Sequence, residues 1–495
     1  MGATRGAEGS IAAARRFISL AVSTLALLLV LLIPLKIVSY GYLPYDDALR
    51  HSARAITGKP WSEILVLGNS YTISHNFGWE LFLRQVHLAL NLGTDWLVVF
   101  SIVLLFFLVG CAGLPWLKRP EAWLGSLLLA GLFLTPERLL FGRPFVFSIF
   151  ALLTVLFVSD RFREKSPDWK TTAGLSLLIA SDVFVHGTWY LWALPVVAFF
   201  LARQFHWGTS LGVAVVAGVT LAAILTGQPL VYLSEAIRIG LHSTGGIHSS
   251  LALELQPGQI NPFAIILLAA LWLTRKLARL TPRPLRQTPA FWLVGLGLVL
   301  ELKVQRFWLD WGLPALMFLL AADLQLLFEK MLAENSFKRV GVTLVLAVTT
   351  YFRFTNDHDY RWTRNLINQN QYVDQANPEQ NGWLPLAGGI FYTADMSLFY
   401  KTFYKNPQGN WRYVLGFEPT LMPEEDFKIF QKILTTYEWK DYELWVAKMK
   451  PEDRLFIPGG PTEQPEISEL EWKQLRPPGV WSGRLPLTAK ASASL

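Results

Sequence analysis

Eleven apolar stretches, separated by short polar connections, constrain this chain more than any other feature. The first runs from Phe17 to Ser39, directly after Arg15 and Arg16. The others are Trp96 to Trp116, Trp123 to Leu134, Pro144 to Val158, Thr171 to Val185, Trp189 to Leu201, Leu211 to Thr226, Pro262 to Thr274, Phe291 to Val304, Leu309 to Phe328 and Val340 to Phe352. About 20 apolar residues suffice for one helix to cross a bilayer, so a polytopic α-helical membrane protein with about eleven transmembrane helices is expected. Several stretches are shorter and need flanking residues to complete a crossing. Charged residues make up 16% of the chain, against about 25% in soluble domains. The first stretch is too long for a signal peptide and no small-residue cleavage site follows, so it reads as an anchor.

Basic residues test this topology. Arg15 and Arg16, Lys118 and Arg119, Arg161 to Lys170, Arg203, Arg275 to Arg286, and Lys330 to Arg339 fall in alternate connections. All then lie on the cytoplasmic side, with the N-terminus, and an odd span count puts the C-terminus outside. The outer segments are Gly41 to Asp95, Thr135 to Arg143, His186 to Thr188, Gln228 to Asn261, Gln305 to Trp308 and everything after Arg353. Two domains are expected: 1–352, a transmembrane domain whose first outer loop is 41–95, and 353–495, an extracytoplasmic one.

The net charge of +7 resides in the membrane-flanking loops and does not point to nucleic acid. One cysteine, Cys111, allows no disulfide framework. No short repeat or nucleotide-binding glycine loop occurs, and the cytoplasmic connections are too short for an ATPase or nucleotide-sugar domain. Chemistry is left to the outer face or the membrane itself, with no nucleotide or organic cofactor.

The segment GYLPYDDALRHSARAITGKPW, Gly41 to Trp61, concentrates charge where the chain leaves the first span. On a helix Asp46 and Arg50 share a face, as do Asp47 and His51. One reading makes Asp46 the N-cap of an exposed helix, with Arg50 its ion-pair partner. The other makes juxtamembrane acids functional. From His51 to Asp95, Trp61, Ile64, Phe77, Trp79 and Phe82 alternate with Glu63, Glu80, Arg84 and His87, as in amphipathic helices lying at the interface. Asp182 and His186 stand one turn apart near an outer helix end, either as a polar hairpin tip or as a paired site. His242 to Ser250, HSTGGIHSS, reads as a flexible loop with gating potential. Trp189, Tyr190 and Trp192 suit an aromatic belt, or stacking on a sugar.

YDDALRH after the first span, and QRFWLDWGLPALMFLLA at Gln305 to Ala321, resemble segments of the integral-membrane glycosyltransferases of the GT-C fold. The resemblance implies transfer of a sugar from a polyprenyl-phosphate-linked donor to an acceptor hydroxyl on the extracytoplasmic face. It implies Asp47 or Asp46 as the base that takes the hydroxyl proton, with Asp47 preferred. Positive charge must stabilise the leaving phosphate. Arg306, at an outer helix end beside Phe307 and Trp308, is the first candidate, followed by Arg143, Arg138 and Arg238. His186 and His51 are further substrate contacts. Magnesium or manganese is an optional ligand of Asp46 and Asp47, with His51 assisting. The acceptor class, whether lipid, glycan or protein, stays open. The absence of an N-x-Ser/Thr sequon and the compact loops agree with a bacterial inner membrane, and the endoplasmic reticulum stays open as the alternative.

After Arg353, GGIFYT, WRYVLGF and DRLFIP read as strands, and DMSLFYKTFYKN and MPEEDFKIFQKIL as helices. A small α/β domain follows, ending in a disordered LTAKASASL. The rival to glycosyl transfer is a secondary transporter or lipid-binding protein using Asp46, Asp47, Asp182 and His186 as ion sites. Its sites would cluster near the bilayer midplane, whereas the first acids lie outside it.

Overall fold

The computed structural model describes residues 2–486 except 70, 134–135, 244–254, 260–261, 281–283, 333–335, 368–371, 459–463 and 476–478. The chain forms two compact units, Met1–Ser39 with Ser101–His358, and Tyr40–Phe100 with Asp359–Leu495. This division differs from one at residue 353: the first outer loop groups with the C-terminal region.

The helices, in chain order, are α1 (Gly2–Ser39), α2 (Asp47–Thr57), α3 (Phe77–Leu90), α4 (Thr94–Cys111), α5 (Pro120–Phe133), α6 (Phe145–Arg161), α7 (Trp169–Val185), α8 (Ala193–Leu201) and α9 (Phe205–Leu225). They continue with α10 (Pro229–Ser243), α11 (Pro262–Leu277), α12 (Pro289–Glu301), α13 (Leu313–Met331), α14 (Lys338–Thr355), α15 (Met396–Lys405) and α16 (Glu424–Thr436).

Among the described residues four stretches are helices long and apolar enough to cross a membrane: Arg15–Ser39, Thr94–Cys111, Phe205–Leu225 and Trp308–Met331. The other seven expected spans fall on shorter or more polar helices. The 14 residues of α5, for example, rise about 21 Å where the hydrocarbon core measures about 30 Å. Polar groups also interrupt them: Ser148 in α6, Asp182 in α7 and Glu301 in α12 are all buried.

In the first unit α13 packs on α5 and α6, and α14 packs on α1 and α5. Trp123 Nε1 donates to the Gly110 carbonyl at 2.6 Å, and Ser126 Oγ to that of Met317 at 2.7 Å. Two glycines set close crossings. A Cβ on Gly218 would stand 2.7 Å from the Ser176 carbonyl oxygen, so α9 meets α7 backbone to backbone. A Cβ on Gly297 would stand 2.7 Å from Gly312 Cα, which seats α12 against the chain entering α13.

In the second unit five strands form one sheet: β1 (Ile390–Tyr392), β2 (Arg412–Tyr413), β3 (Arg454–Pro458), β4 (Glu471–Leu475) and β5 (Val480–Arg484), in the order β2-β1-β3-β5-β4. β1 runs parallel to β2 and β3, with Phe391 opposite Tyr413 and Tyr392 opposite Leu455. β5 is antiparallel to β3 and β4. The first three strands match GGIFYT, WRYVLGF and DRLFIP; the β4–β5 hairpin is additional. Leu65 of the first outer loop bridges Tyr413 at the sheet edge, and Val66 N donates to the Tyr413 carbonyl at 2.9 Å. Gly68 follows, where a Cβ would meet the Met422 carbonyl oxygen at 2.5 Å. The loop therefore belongs to this unit through backbone pairing as well as side-chain packing. The stretch 244–250 of the expected gating loop and the expected tail 487–495 lie outside the described residues.

Candidate functional site

In the second unit Asp46 is the N-cap of α2, with φ −143° and ψ −130°, and makes no side-chain capping bond. Its backbone lies off the helical lattice, outside the position from which a helical i,i+4 pair with Arg50 forms. Asp47, the first helical residue, takes that place. Arg50 Nη2 stands 3.0 Å from Asp47 Oδ1 and Nε 3.1 Å from the same atom. The Tyr400 hydroxyl donates to this oxygen at 3.4 Å.

Arg50 is 0% exposed. Its Nη1 lies 3.5 Å from Glu80 Oε1, and its guanidinium carbon 4.0 Å from the centre of the Phe417 ring. Arg50 Nη2 also lies 3.1 Å from His51 Nε2. A guanidinium only donates, so His51 Nε2 accepts and the ring proton sits on Nδ1. Nδ1 lies 3.4 Å from Glu80 Oε1. The expected Asp47–His51 pair is thus replaced by His51–Glu80, which brings α3 to α2. Burial works against the Arg50 charge, but Asp47 and Glu80 outweigh it and hold its pKa above the ordinary value. Burial, then Arg50, pushes His51 below its ordinary value despite Glu80. Burial and then Arg50 push the half-buried His75 down to about 3. Glu80 is desolvated, yet His51, Arg50 and Arg54 bring its pKa below the ordinary one.

In the first unit three of the four candidate arginines meet at one aromatic ring. Guanidinium carbons of Arg138, Arg143 and Arg306 lie 4.2, 5.6 and 5.9 Å from the centre of Phe145. A short 3-10 helix, Pro136–Leu140, presents Arg138, and Pro144 starts α6 beside Arg143. Asp310 ties two of them together. Arg138 Nε donates to Oδ1 at 2.8 Å, with Nη2 2.6 Å from the same oxygen in an ion pair, and Arg306 Nε donates to Oδ2 at 2.9 Å. Asp310 lies in a π-helical turn, Trp308–Gly312, a distortion that often re-aims side chains at sites. The Gly297–Gly312 approach holds that turn in place.

A second polar chain runs inward from Arg306. Its Nη2 lies 3.2 Å from His186 Nε2, and His186 Nδ1 lies 2.9 Å from Ser148 Oγ. Ser148 donates to Asp182 Oδ1 at 2.7 Å, and Trp192 Nε1 donates to Oδ2 at 2.7 Å. Because Arg306 donates, His186 Nε2 accepts; its Nδ1–H then donates to Ser148, which passes its own proton toward Asp182. Asp182 and His186 are joined through Ser148, a hydroxyl contributed by α6, and not by a direct side-chain pair. Arg306 also lines a small cavity of about 80 Å³ with Thr188, Tyr190, Gly240, Phe307 and Trp311.

Arg238 forms a 2.6 Å ion pair with Glu235 on α10. The donor set at Asp46 and Asp47 does not fit a divalent ion. A guanidinium stands 3.0 Å from Asp47 Oδ1, and His51 is wholly buried and turned to Arg50 and Glu80. Among the described residues no group of three or more His, Cys, Asp or Glu is arranged to hold a metal.

Glu80, Tyr400, Ser148 and Asp310 carry site geometry that sequence reasoning did not assign. Asp310 had a local signal, four residues after Arg306. Glu80, Tyr400 and Ser148 reach their partners only through tertiary packing.

Two solved structures similar to this chain are of the oligosaccharyltransferase of Archaeoglobus fulgidus. Its apo form is 11% identical over 90% of this chain and 69% of that chain, with a TM-score of 0.48. Its complex with Zn and sulfate is 13% identical over 88% and 68%, with a TM-score of 0.42. No protein-family model matches the chain, and no curated protein matches it.

Proposed function

We propose that this protein is a membrane glycosyltransferase. It moves a sugar from a polyprenyl phosphate to an acceptor hydroxyl on the extracytoplasmic face of a bacterial inner membrane. Three guanidiniums crowding the Phe145 ring carry this assignment. Asp310 offsets one positive charge, so the cluster keeps an excess suited to a lipid phosphate as it becomes the leaving group. Arg306 and Arg143 are assigned to that phosphate. Arg138, paired with Asp310, positions Arg306 through the shared carboxylate. His186 holds the other edge of Arg306.

Asp47 is assigned the acceptor's proton, with Asp46 beside it. Arg50 and Tyr400 fix Asp47 through Oδ1, which orients the carboxylate for proton acceptance. As the acceptor oxygen bonds to the anomeric carbon, the bond from that carbon to the phosphate oxygen breaks. The products are a glycosylated acceptor and polyprenyl phosphate.

The test uses purified full-length protein, radiolabelled polyprenyl-phosphate sugars, and the Asp46→Asn and Asp47→Asn variants. Loss of transfer by about 10²-fold or more in Asp47→Asn, with donor binding retained, is expected for a general base. Transfer unchanged in both variants, or vesicle uptake without transfer, refutes the assignment.

A further inference from the structure

A separate basic cavity opens in the first unit and shares no lining residue with the arginine cluster. It has a volume of about 520 Å³ and is lined by Arg15 and Ser19 of α1, Lys118, Arg119, Glu329, Leu332 and Arg339 of α14. Four cations thus face one carboxylate.

Two of these cations are built into the fold. Arg119 and Arg339 are 4% and 5% exposed. Glu121, fully buried, takes Arg339 Nε at 2.9 Å and Nη2 at 3.2 Å, and stands 3.6 Å from Arg119 Nη1. Arg119 Nη2 donates to the Leu332 carbonyl at 2.9 Å. Lys118 is fixed by its backbone N–H, which donates to Gln325 Oε1 at 2.9 Å. Counting Glu121 and Glu329 against the four cations leaves an excess of two positive charges. Buried guanidiniums held by one carboxylate are pre-organised to receive an anion at little entropic cost.

The surroundings identify which anion. Arg15 is the first residue of the membrane-length stretch Arg15–Ser39. Next to it on α1, Phe17 and Leu20 are 61% and 68% exposed, and on α14 Leu344 and Val345 are also exposed. A cavity that is cationic within and flanked by apolar helix faces matches a molecule with a phosphate head and hydrocarbon tails. We propose that this cavity binds the phosphate of an anionic phospholipid, with the acyl chains lying along the exposed faces of α1 and α14.

Native mass spectrometry of the full-length protein in detergent tests this by titration with phosphatidylglycerol, phosphatidylcholine or inorganic phosphate. Wild type is compared with R15Q/K118Q and with R163Q/K165Q, which removes two cations elsewhere. Arg15 and Lys118 are exposed, so their replacement spares the buried ion pairs; matching elution and melting profiles verify folding. Phosphatidylglycerol should bind wild type roughly tenfold or more above phosphatidylcholine. That preference should vanish in R15Q/K118Q and persist in R163Q/K165Q. The proposal is overturned by equal binding of the two lipids, by a preference unchanged in R15Q/K118Q, or by equal loss in both variants. Inorganic phosphate binding as tightly as phosphatidylglycerol would also overturn it, since the source would then be a free phosphate.

Discussion

Replacing Arg50 with Met tests the physical centre of the second unit. Met keeps an unbranched stem and removes the guanidinium with its charge. Asp47 and Glu80 then lose their cation, with 19% and 9% of their side-chain surface exposed. Breaking a buried ion pair from one side costs about 3–5 kcal/mol. Partial hydration of Asp47 discounts its share, while lost stacking on Phe417 at 4.0 Å adds about 0.5–2 kcal/mol. The net expectation is about 3–5 kcal/mol. Arg50→Lys keeps the charge but loses the fork that serves Asp47, His51 and Glu80 together, and should fall between. Tryptophan fluorescence during thermal unfolding in detergent reads the change, because Trp61 lies 5.8 Å from the guanidinium. The R50M/E80Q double variant should regain part of the loss, with a coupling of about 1–3 kcal/mol. A single-variant cost below about 0.5 kcal/mol, or strict additivity, would refute this account of Arg50.

The same cluster predicts a pH dependence. His75 and His51 have native pKa values below the ordinary one, so the unfolded chain binds protons near pH 6 that the native chain does not. Their contribution is present above about pH 6.5 and is lost as pH falls. His75 alone should account for about 1–2 kcal/mol between about pH 7 and 5, and His75→Asn should flatten the profile of unfolding midpoints; a flat wild-type profile would contradict it. Ser148→Ala breaks the link from Asp182 to His186 and should cost about 1–3 kcal/mol of stability. It should also raise the donor KM more than it lowers kcat, because Arg306 is loosened; an unchanged KM would remove the positioning role of Ser148. Gly297→Ala drives a methyl against Gly312 Cα and should cost about 1–3 kcal/mol. Donor binding should weaken with it, and wild-type melting and affinity would show that the crossing does not position Asp310.

Hydropathy exposed the helical stretches and their alternation with basic connections, because one-sided burial and lipid contact leave a periodic apolar record. It did not show where helices stop short of a full crossing: α5, α8 and α12 are apolar yet short. The strands β1, β2 and β3 were readable from β-branched and aromatic runs. The β4–β5 hairpin was not, because Glu471 and Lys473 give it a mixed surface pattern. Arg138, Arg143 and Arg306 could be named from their positions near helix ends, but their meeting at Phe145 could not. It joins the segment from Arg138 to Phe145 with Arg306, more than 150 residues later. Likewise Asp46 and Asp47 differ by one position on the chain, and only the backbone turn at Asp46 shows that Asp47 is the one that enters the helix, where it pairs with Arg50.

The most direct measurement is release of polyprenyl phosphate from a defined polyprenyl-phosphate sugar, followed alongside sugar incorporation into acceptor. The account predicts one polyprenyl phosphate per sugar transferred in wild type, and a large loss of both products in Asp47→Asn. Weakened donor binding is predicted in Arg306→Gln. A folded wild-type protein that binds the lipid donor but releases no polyprenyl phosphate with any sugar or acceptor would contradict it.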